Sequence, residues 1–438
     1  MRNNNRSGNR DSSRSTNRGK NRSGSQNNSN RSNKTESFEL HPHSIKYINA
    51  GHPWVTKDKF TEAFPEKTLL IGAGKDAKSP HWILINDPDH PQIKARVWGP
   101  YSNSKIKDST FWDYFEQRLE KSIEFREVQK LSEERENYYL CFGEADQIPG
   151  LFIQKLGEII LIQSYCHYWR YFEKIVFNIV ERVCQRTYPM QPLKYYFQAR
   201  NKNQKVQLDH LNYKKDLIKN AGGIDFIVKE FGIKYNCFLG KSYDLGIYTD
   251  MSFIREKVCE LIHENSKVLN LYSYTGAYSL AALKKGAKEV HSVDLSEKYL
   301  EILERNIELN EFQNLAHTTH QSDVAQKLDE LNSDGLKFDL IICDPPSASS
   351  DGNKVTNALK AYEDLIPKMQ KLLVEKGKMA IFLNTHTINW NKFEKTILPL
   401  TEKYKLKKLR RFNFGKDCRT LKGFHEGDYL KGLLLEKN

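Results

Sequence analysis

"KVLNLYSYTGAYSL", residues 267–280, decides how the rest of the chain is read. An apolar run reaches Leu271, breaks into small and hydroxylated residues, and resumes as "AYSLAALKKG" at helical spacing, which predicts a strand, a turn and a helix. Thr275 and Gly276 fall in the turn. A glycine there lets a ligand approach the backbone, and the free N–H groups of a helix start face the same gap. A cleft is expected at this point.

Downstream the pattern repeats. "EVHSVDLS", "FDLIICDPPS" and "KMAIFLNTH" are short β-rich apolar runs, separated by helical patterns of ten or more residues. Such alternation predicts crossover units and a mostly parallel sheet covered on both faces, with ligands bound at the carboxyl ends of its strands. The second strand ends on Asp294, whose carboxylate can take both hydroxyls of a ribose. Asp323 follows a third candidate strand, "NLAHTT", where it can accept from the exocyclic amine of adenine. Either aspartate alone could be a helix N-cap. In this order and at crossover spacing they point to a nucleoside cofactor. The G-x-G-x-x-G turn that a pyrophosphate requires is missing, so S-adenosylmethionine suits the single-glycine turn better than a dinucleotide. Asp344 leaves the fourth strand into the cleft, and Pro345 and Pro346 stiffen the turn behind it into a rigid polar edge that can orient a flipped base.

The chain has 438 residues, 39% hydrophobic and 11% aromatic, which suggests two or three packed domains. Its 68 Lys and Arg against 55 Asp and Glu leave a formal charge of +13, favouring a polyanionic partner. Residues 1–36 carry nine basic side chains against Asp11 and Glu36, or +7 of that excess, and no apolar residue after Met1. This tail is expected to be disordered and to contact RNA phosphates in a salt-dependent way. It has no apolar h-region, so it is not a secretory signal; its Arg- and Ser-rich composition leaves a transit peptide open. Residues 37–108 read as β-segments and turns, "SIKYINA", "KTLLIGAG", "HWILIND" and "IKARVWGP", the pattern of a small β-barrel. Residues 109–221 read as a small α/β linking unit, and 222–438 as the Rossmann-like α/β domain. No window reaches the ~18–20 apolar residues of a membrane span, so no membrane partner is expected. Seven cysteines without C-x-x-C spacing argue against a disulfide framework and a zinc site, and a reducing cytoplasm fits them. A homodimer is left open.

With these residues in view, the sequence resembles a known family. "VLNLYSYTGAYSL", "VDLS" and "DPPS", the upstream "GHPWV" and "FGEADQIPGLFIQKLGE", and the closing "GFHEGDYLKGLLLE" are similar to bacterial class I S-adenosylmethionine-dependent 23S rRNA methyltransferases with an N-terminal PUA domain. The resemblance covers nearly everything after the tail. It implies cytosine-C5 methylation of large-subunit ribosomal RNA, and a PUA module that carries Gly51, His52, Pro53 and Trp54, with Trp54 as an RNA contact. "GIYTDMSFIRE" resembles the segment touching the methionine end of the cofactor, which carries over Asp250 and Arg255. Asn270 stands where the family has an acidic residue reaching for the methionine amino group; its amide oxygen can accept, without charge assistance. Tyr272, Tyr274, Thr275, Gly276, Asp294, Leu295, Asp323 and Asp344 complete the expected cofactor contacts.

One departure bears on the reaction. Cytosine carbon 5 is a poor nucleophile, and a cysteine thiolate that adds to the neighbouring ring carbon activates it. In the family that cysteine follows the fifth strand, where this chain reads "IFLNTHTINW", with Asn384, Thr385 and His386 instead. Cys343 reads as the buried end of an apolar strand, and Cys418 as a loop residue that could border the cleft. A base nitrogen carries its own lone pair and needs no thiol, so both targets stay open. Asp344 and Asn384 are the expected catalytic residues, and Pro345, Pro346, Ser347 and His386 the expected base contacts. Two rivals remain: a catalytically degenerate RNA-binding assembly factor, and a dinucleotide-dependent oxidoreductase disfavoured by the single-glycine turn.

Overall fold

The computed structural model describes residues 37–57, 69–73, 81–101, 108–200, 223–240, 244–346, 348–350 and 355–438. The basic tail and Ser347 lie outside the described residues. Strands β1 (Ser37–Glu39), β2 (Trp54–Thr56), β3 (Leu69–Ala73), β4 (His81–Asn86) and β5 (Ile93–Pro100) form a five-stranded sheet in the order β1-β3-β4-β5-β2. The segment "SIKYINA", expected to be β, belongs to a helix, Pro42–Asn49. Its start explains why: Pro42 occupies the first turn, where its missing N–H costs nothing, and the His41 ring accepts from the His43 N–H. Ser44 and Ile48, four apart, form the buried face.

The linking unit packs β6 (Asn137–Phe142), β7 (Leu151–Leu156), β8 (Ile159–Ser164) and β9 (Lys194–Ala199) in sequence order. Helices Asp108–Glu127 and Glu173–Thr187 cover it, with Phe115, Leu119, Val176 and Val180 fully buried against the strands. A hairpin of β10 (Ile224–Glu230) and β11 (Ile233–Leu239) leads into the last unit.

There β12 (Lys267–Leu271), β13 (Glu289–Asp294), β14 (His317–Gln321), β15 (Phe338–Cys343), the short antiparallel pair β16 (Ala348–Ser350) and β17 (Val355–Asn357), β18 (Leu373–Asn384), β19 (Leu406–Phe412) and β20 (Leu430–Lys437) follow. The main sheet has seven strands in the order β14-β13-β12-β15-β18-β20-β19. The first five are mutually parallel, and β20 pairs antiparallel with both β18 and β19. Four of the five β12 residues are buried because helices cover both faces of the sheet. Ile254, Leu280 and Leu303 pack with Val268 and Leu340 on one face. On the other, Leu328, Tyr362 and Phe393 pack with Leu269 and Ile341. The strand order reverses between β12 and β15, so the crossover helices leave on opposite faces there and a crevice opens at the carboxyl ends.

The edge strand β14 carries an acid-sensitive cluster. His291 Nδ1 lies 2.9 Å from His320 Nε2, and His317 Nε2 lies 2.9 Å from Ser292 Oγ. Burial, and then the neighbouring imidazoles, lower His317 and His320 to about 4. Unfolded histidine binds its proton near pH 6.5, so between pH 6.5 and 4 the unfolded chain holds more protons than the folded one. Stability present above pH 6.5 should therefore fall as the pH drops towards 4. Denaturant midpoints at pH 7, 6 and 5 would register this, and the slope should flatten in His320→Gln; a midpoint unchanged down to pH 5 would contradict it.

Candidate active site

The turn after β12 is held in a strained shape. Tyr272, Tyr274 and Gly276 all have positive φ, at 56°, 51° and 82°. For the two tyrosines this conformation costs about 1–3 kcal/mol each and persists only where neighbours over-determine it. Those neighbours are on hand. The Ser273 N–H donates to the Val293 carbonyl at 2.9 Å and the Tyr274 N–H to Asp294 Oδ2 at 2.8 Å, which clamps the turn to the end of β13. From the other side Thr275 Oγ1 donates to the Gly246 carbonyl at 2.6 Å, and the Gly246 N–H donates to Tyr274 Oη at 3.0 Å. Gly276 is required twice over, by its φ and because a Cβ there would sit 2.4 Å from Leu303 Cγ. The space its missing side chain leaves is thus filled by Leu303, a core residue, rather than kept for a ligand.

Asp294 has a structural task as well as an available face. Its second oxygen accepts from the Ser296 N–H at 2.9 Å, and burial raises its pKa against those backbone bonds. Two N–H partners leave lone pairs on both oxygens for further donors. Beside it Leu295 is 69% exposed, a bare apolar surface next to the carboxylate. Asp323 caps the helix Val324–Ser333 through Oδ1, which accepts from the Gln326 N–H at 3.1 Å. The capping role and an outward-facing oxygen coexist.

Asp344 emerges half-buried from β15. Burial and the nearby Asp250 carboxylate push it up to about 7, against the pull of Arg255. Asp250 accepts from Tyr429 Oη at 2.6 Å. The top of β15 is tied to β18 by Tyr362 Oη, which contacts the Cys343 carbonyl at 3.1 Å and the Phe382 carbonyl at 2.6 Å. Asn384 ends β18 on this rim, half-buried. Four hydroxyls on the framing segments, those of Thr249, Ser252, Ser273 and Tyr278, are buried without a hydrogen-bond partner among the described residues. Orphaned polar atoms of this kind suit a polar ligand. Together with the Asp294 lone pairs and the Leu295 surface, they fit a nucleoside bearing an amino-acid chain.

Three expectations need correction. Arg255 is not turned to a ligand: its Nε and Nη2 grip Glu230 at 2.7 Å each, and its Nη1 donates to the Tyr248 carbonyl at 2.9 Å. A buried carboxylate on β10 claims it first. Trp54 is not a free RNA platform. Its Nε1 donates to Glu144 at 2.8 Å, its ring meets Phe424 at 4.6 Å, and the Arg96 guanidinium lies 5.5 Å above it. It belongs to a seam where backbone meets backbone: a Cβ on Gly51 would lie 2.7 Å from the Lys422 carbonyl oxygen. Cys418, read as a loop residue that could border the cleft, is buried among Tyr139, Phe142, Phe414 and Tyr429, and burial drives its pKa far up. Cys343 is fully buried, as expected, and its pKa is likewise raised.

His386 is exposed beyond β18, with Nδ1 bonded to the Glu426 carbonyl at 2.7 Å and its ring 4.8 Å from Tyr429. Sequence reasoning missed Lys431, which is fully buried and donates from Nζ to the Thr385 carbonyl at 2.9 Å, under the same loop. Burial lowers it to about 8. A lone lysine in the apolar run "LKGLLL" was the available signal. Pro345 is buried and Pro346 exposed, so the pair forms one edge of the rim.

The chain is similar to ribosomal RNA methyltransferases. A protein of Aliivibrio fischeri strain MJ11 named ribosomal RNA large subunit methyltransferase I is 26% identical over 398 residues, covering 88% of this chain and 96% of that protein. The protein of that name in Escherichia coli O127:H6 is 27% identical, over 78% of this chain and 84% of its own. Residues 250–398 match the family model described as conserved hypothetical protein 95. Among solved structures, SMU.776, provisionally assigned as a methyltransferase and crystallised with S-adenosylhomocysteine, superposes with a TM-score of 0.78 at 21% identity, over 92% of this chain and all of its own. The seven-stranded sheet is thus that of the class I methyltransferase fold.

Proposed function

We propose that the protein is an S-adenosylmethionine-dependent RNA methyltransferase that modifies a base of large-subunit ribosomal RNA. The observation that carries this reading is the strained 272–276 turn, clamped to Asp294 at the strand reversal, with Asp344 at the end of the adjacent β15. The names of the relatives supply the substrate class. Asp294 would take the ribose hydroxyls, Leu295 would cover one face of the adenine, and Asp323 would accept its amine through the oxygen not used in capping. Tyr272, Tyr274, Thr275 and Gly276 would shape the floor of the cleft, and Asp250 would hold the methionine end. When bound, the cofactor supplies an electrophilic methyl group.

The target we propose is a base nitrogen. Every cysteine is buried, and burial raises the two nearest the cleft, Cys343 and Cys418, so no thiolate stands ready to activate cytosine carbon 5. A carboxylate with its pKa near 7 can instead accept the proton that a ring nitrogen or exocyclic amine releases on methylation. Asp344 holds that position, with Asn384 and His386 at the base edge and Pro345 and Pro346 fixing the carboxylate. Residues 37–108 would act as a PUA-like docking unit for RNA, joined through residues 109–221 to the catalytic domain at 222–438.

Incubation of the protein with methyl-labelled donor and unmodified ribosomal RNA, followed by nucleoside mass spectrometry, tests the reading. An N-methylated base supports it. Labelled 5-methylcytidine would overturn the nitrogen target, and donor binding without transfer to any ribosomal RNA would favour a degenerate assembly factor.

A further inference from the structure

One buried amide near the carboxyl end of β12 has its orientation set from a distance. Asn270 lies one residue before the end of β12 and is 2% exposed. Its Nδ2 donates to Ser279 Oγ at 2.9 Å, Ser279 Oγ meets Ser292 Oγ at 2.6 Å, and Ser292 Oγ meets His317 Nε2 at 2.9 Å. The chain crosses β12, the helix Ala277–Lys284, β13 and β14 in turn. Each hydroxyl has one proton to give, so with every proton kept within the chain it runs in one of two senses. In the first, Asn270 donates and His317 Nε2 accepts at the far end. In the second, His317 Nε2 donates and the Asn270 oxygen accepts.

The imidazole tautomer chooses between them. His317 Nδ1 lies 3.9 Å from Glu304 Oε1, and a carboxylate favours the proton on the nitrogen that faces it. Nε2 is then bare and must accept. The first sense follows, and it leaves the Asn270 oxygen without a partner among the described residues. Had the amide been turned over, the cleft would meet an N–H donor and attract the anionic end of a ligand.

We infer that His317, acting through Ser292 and Ser279, locks the Asn270 amide with its oxygen towards the cleft, reserving it for the cofactor's ammonium group. The inference rests on the cofactor reading above. The ammonium is the one cationic N–H donor of an S-adenosyl amino acid, and a charge-assisted bond to it outweighs a neutral one. Asp294 ends β13 and Asp323 follows β14, where the reading above gives them the nucleoside end, whereas Asn270 lies on β12, between Ser292 of β13 and Ile342 of β15 in register. His317 is thus a positioning residue, remote from the reacting atoms.

The test uses the full chain, with S-adenosylhomocysteine and its analogue lacking the α-amino group as calorimetric probes. Ser292→Ala and His317→Phe should each weaken S-adenosylhomocysteine about three- to tenfold, as the loss of one oriented hydrogen bond predicts, and leave the deaminated analogue unchanged. In an Asn270→Asp background both oxygens accept, orientation no longer matters, and the same substitutions should change neither affinity. Histidine 15N resonances give a readout free of any variant: Nδ1 of His317 should be protonated and Nε2 bare. A protonated Nε2, or equal losses for both probes in both backgrounds, would overturn the inference. If the wild-type chain binds neither probe, the cofactor reading and the ammonium role fall together, while the resonances still decide the sense of the chain.

Discussion

Replacing Asp344 with asparagine should lower methyl transfer by roughly 10²–10⁴-fold, the usual contribution of a positioned acid or base. S-adenosylhomocysteine affinity should stay within about threefold, because the loss belongs to the transition state. The pH profile adds a second mark. Burial and Asp250 raise the Asp344 carboxyl to about 7, so the proton-accepting form is depleted below neutrality and the rate should climb through about pH 7 before levelling. That limb should vanish in Asp344→Asn. Asp294→Ala should give the opposite pattern, with affinity for the donor falling first, since its carboxylate holds both the Tyr274 and Ser296 N–H groups. Equal loss of donor binding in the two variants would contradict this division of labour.

Asp146→Ala should destabilise the chain by roughly 3–5 kcal/mol, the cost of leaving a buried charge without its partner. Arg126 and Asp146 are both fully buried and joined by two hydrogen bonds, of 2.8 and 2.6 Å, and Arg419 reaches the same carboxylate. Burial alone would raise the Asp146 pKa, yet the two guanidiniums hold it below the usual range. Arg126 also donates to the Asp417 carbonyl at 2.6 Å, so the ion cluster fastens the linking unit to the loop that precedes β20. Chemical denaturation of the full chain would measure the effect. A loss under about 1 kcal/mol would mean that water or Asp417 replaces the lost carboxylate.

The parts of this protein legible in its sequence were those governed by nearest neighbours along the chain. The apolar run to Leu271, the glycine at 276 and the aspartates after successive strands each follow from local pattern, and the structure has β12, β13 and β15 at those places, while the third strand, expected at "NLAHTT", runs instead from His317 to Gln321. The helix Pro42–Asn49 was misread because its cap, a histidine before a proline, counts for more than the apparent β-pattern of a seven-residue window. What escaped entirely was partner choice across long separations. Nothing near Arg255 in sequence announces Glu230, and Trp54 gives no sign that Glu144 and Phe424 enclose it. Cys418 does lie in a loop, and its burial escaped because the aromatic rings around it come from 139, 142 and 429.

The hairpin loop running from 413 to 429 reaches both the first unit and the rim of the candidate site. Its Phe424 and Glu426 meet Trp54 and His52 of the first unit, the Glu426 carbonyl steadies His386, and Tyr429 holds Asp250. The proposed RNA-docking unit and the carboxylate proposed for the methionine end of the donor are therefore mounted on a single bracket. On that reading, a substitution that displaces this loop should disturb docking and the reaction chamber together.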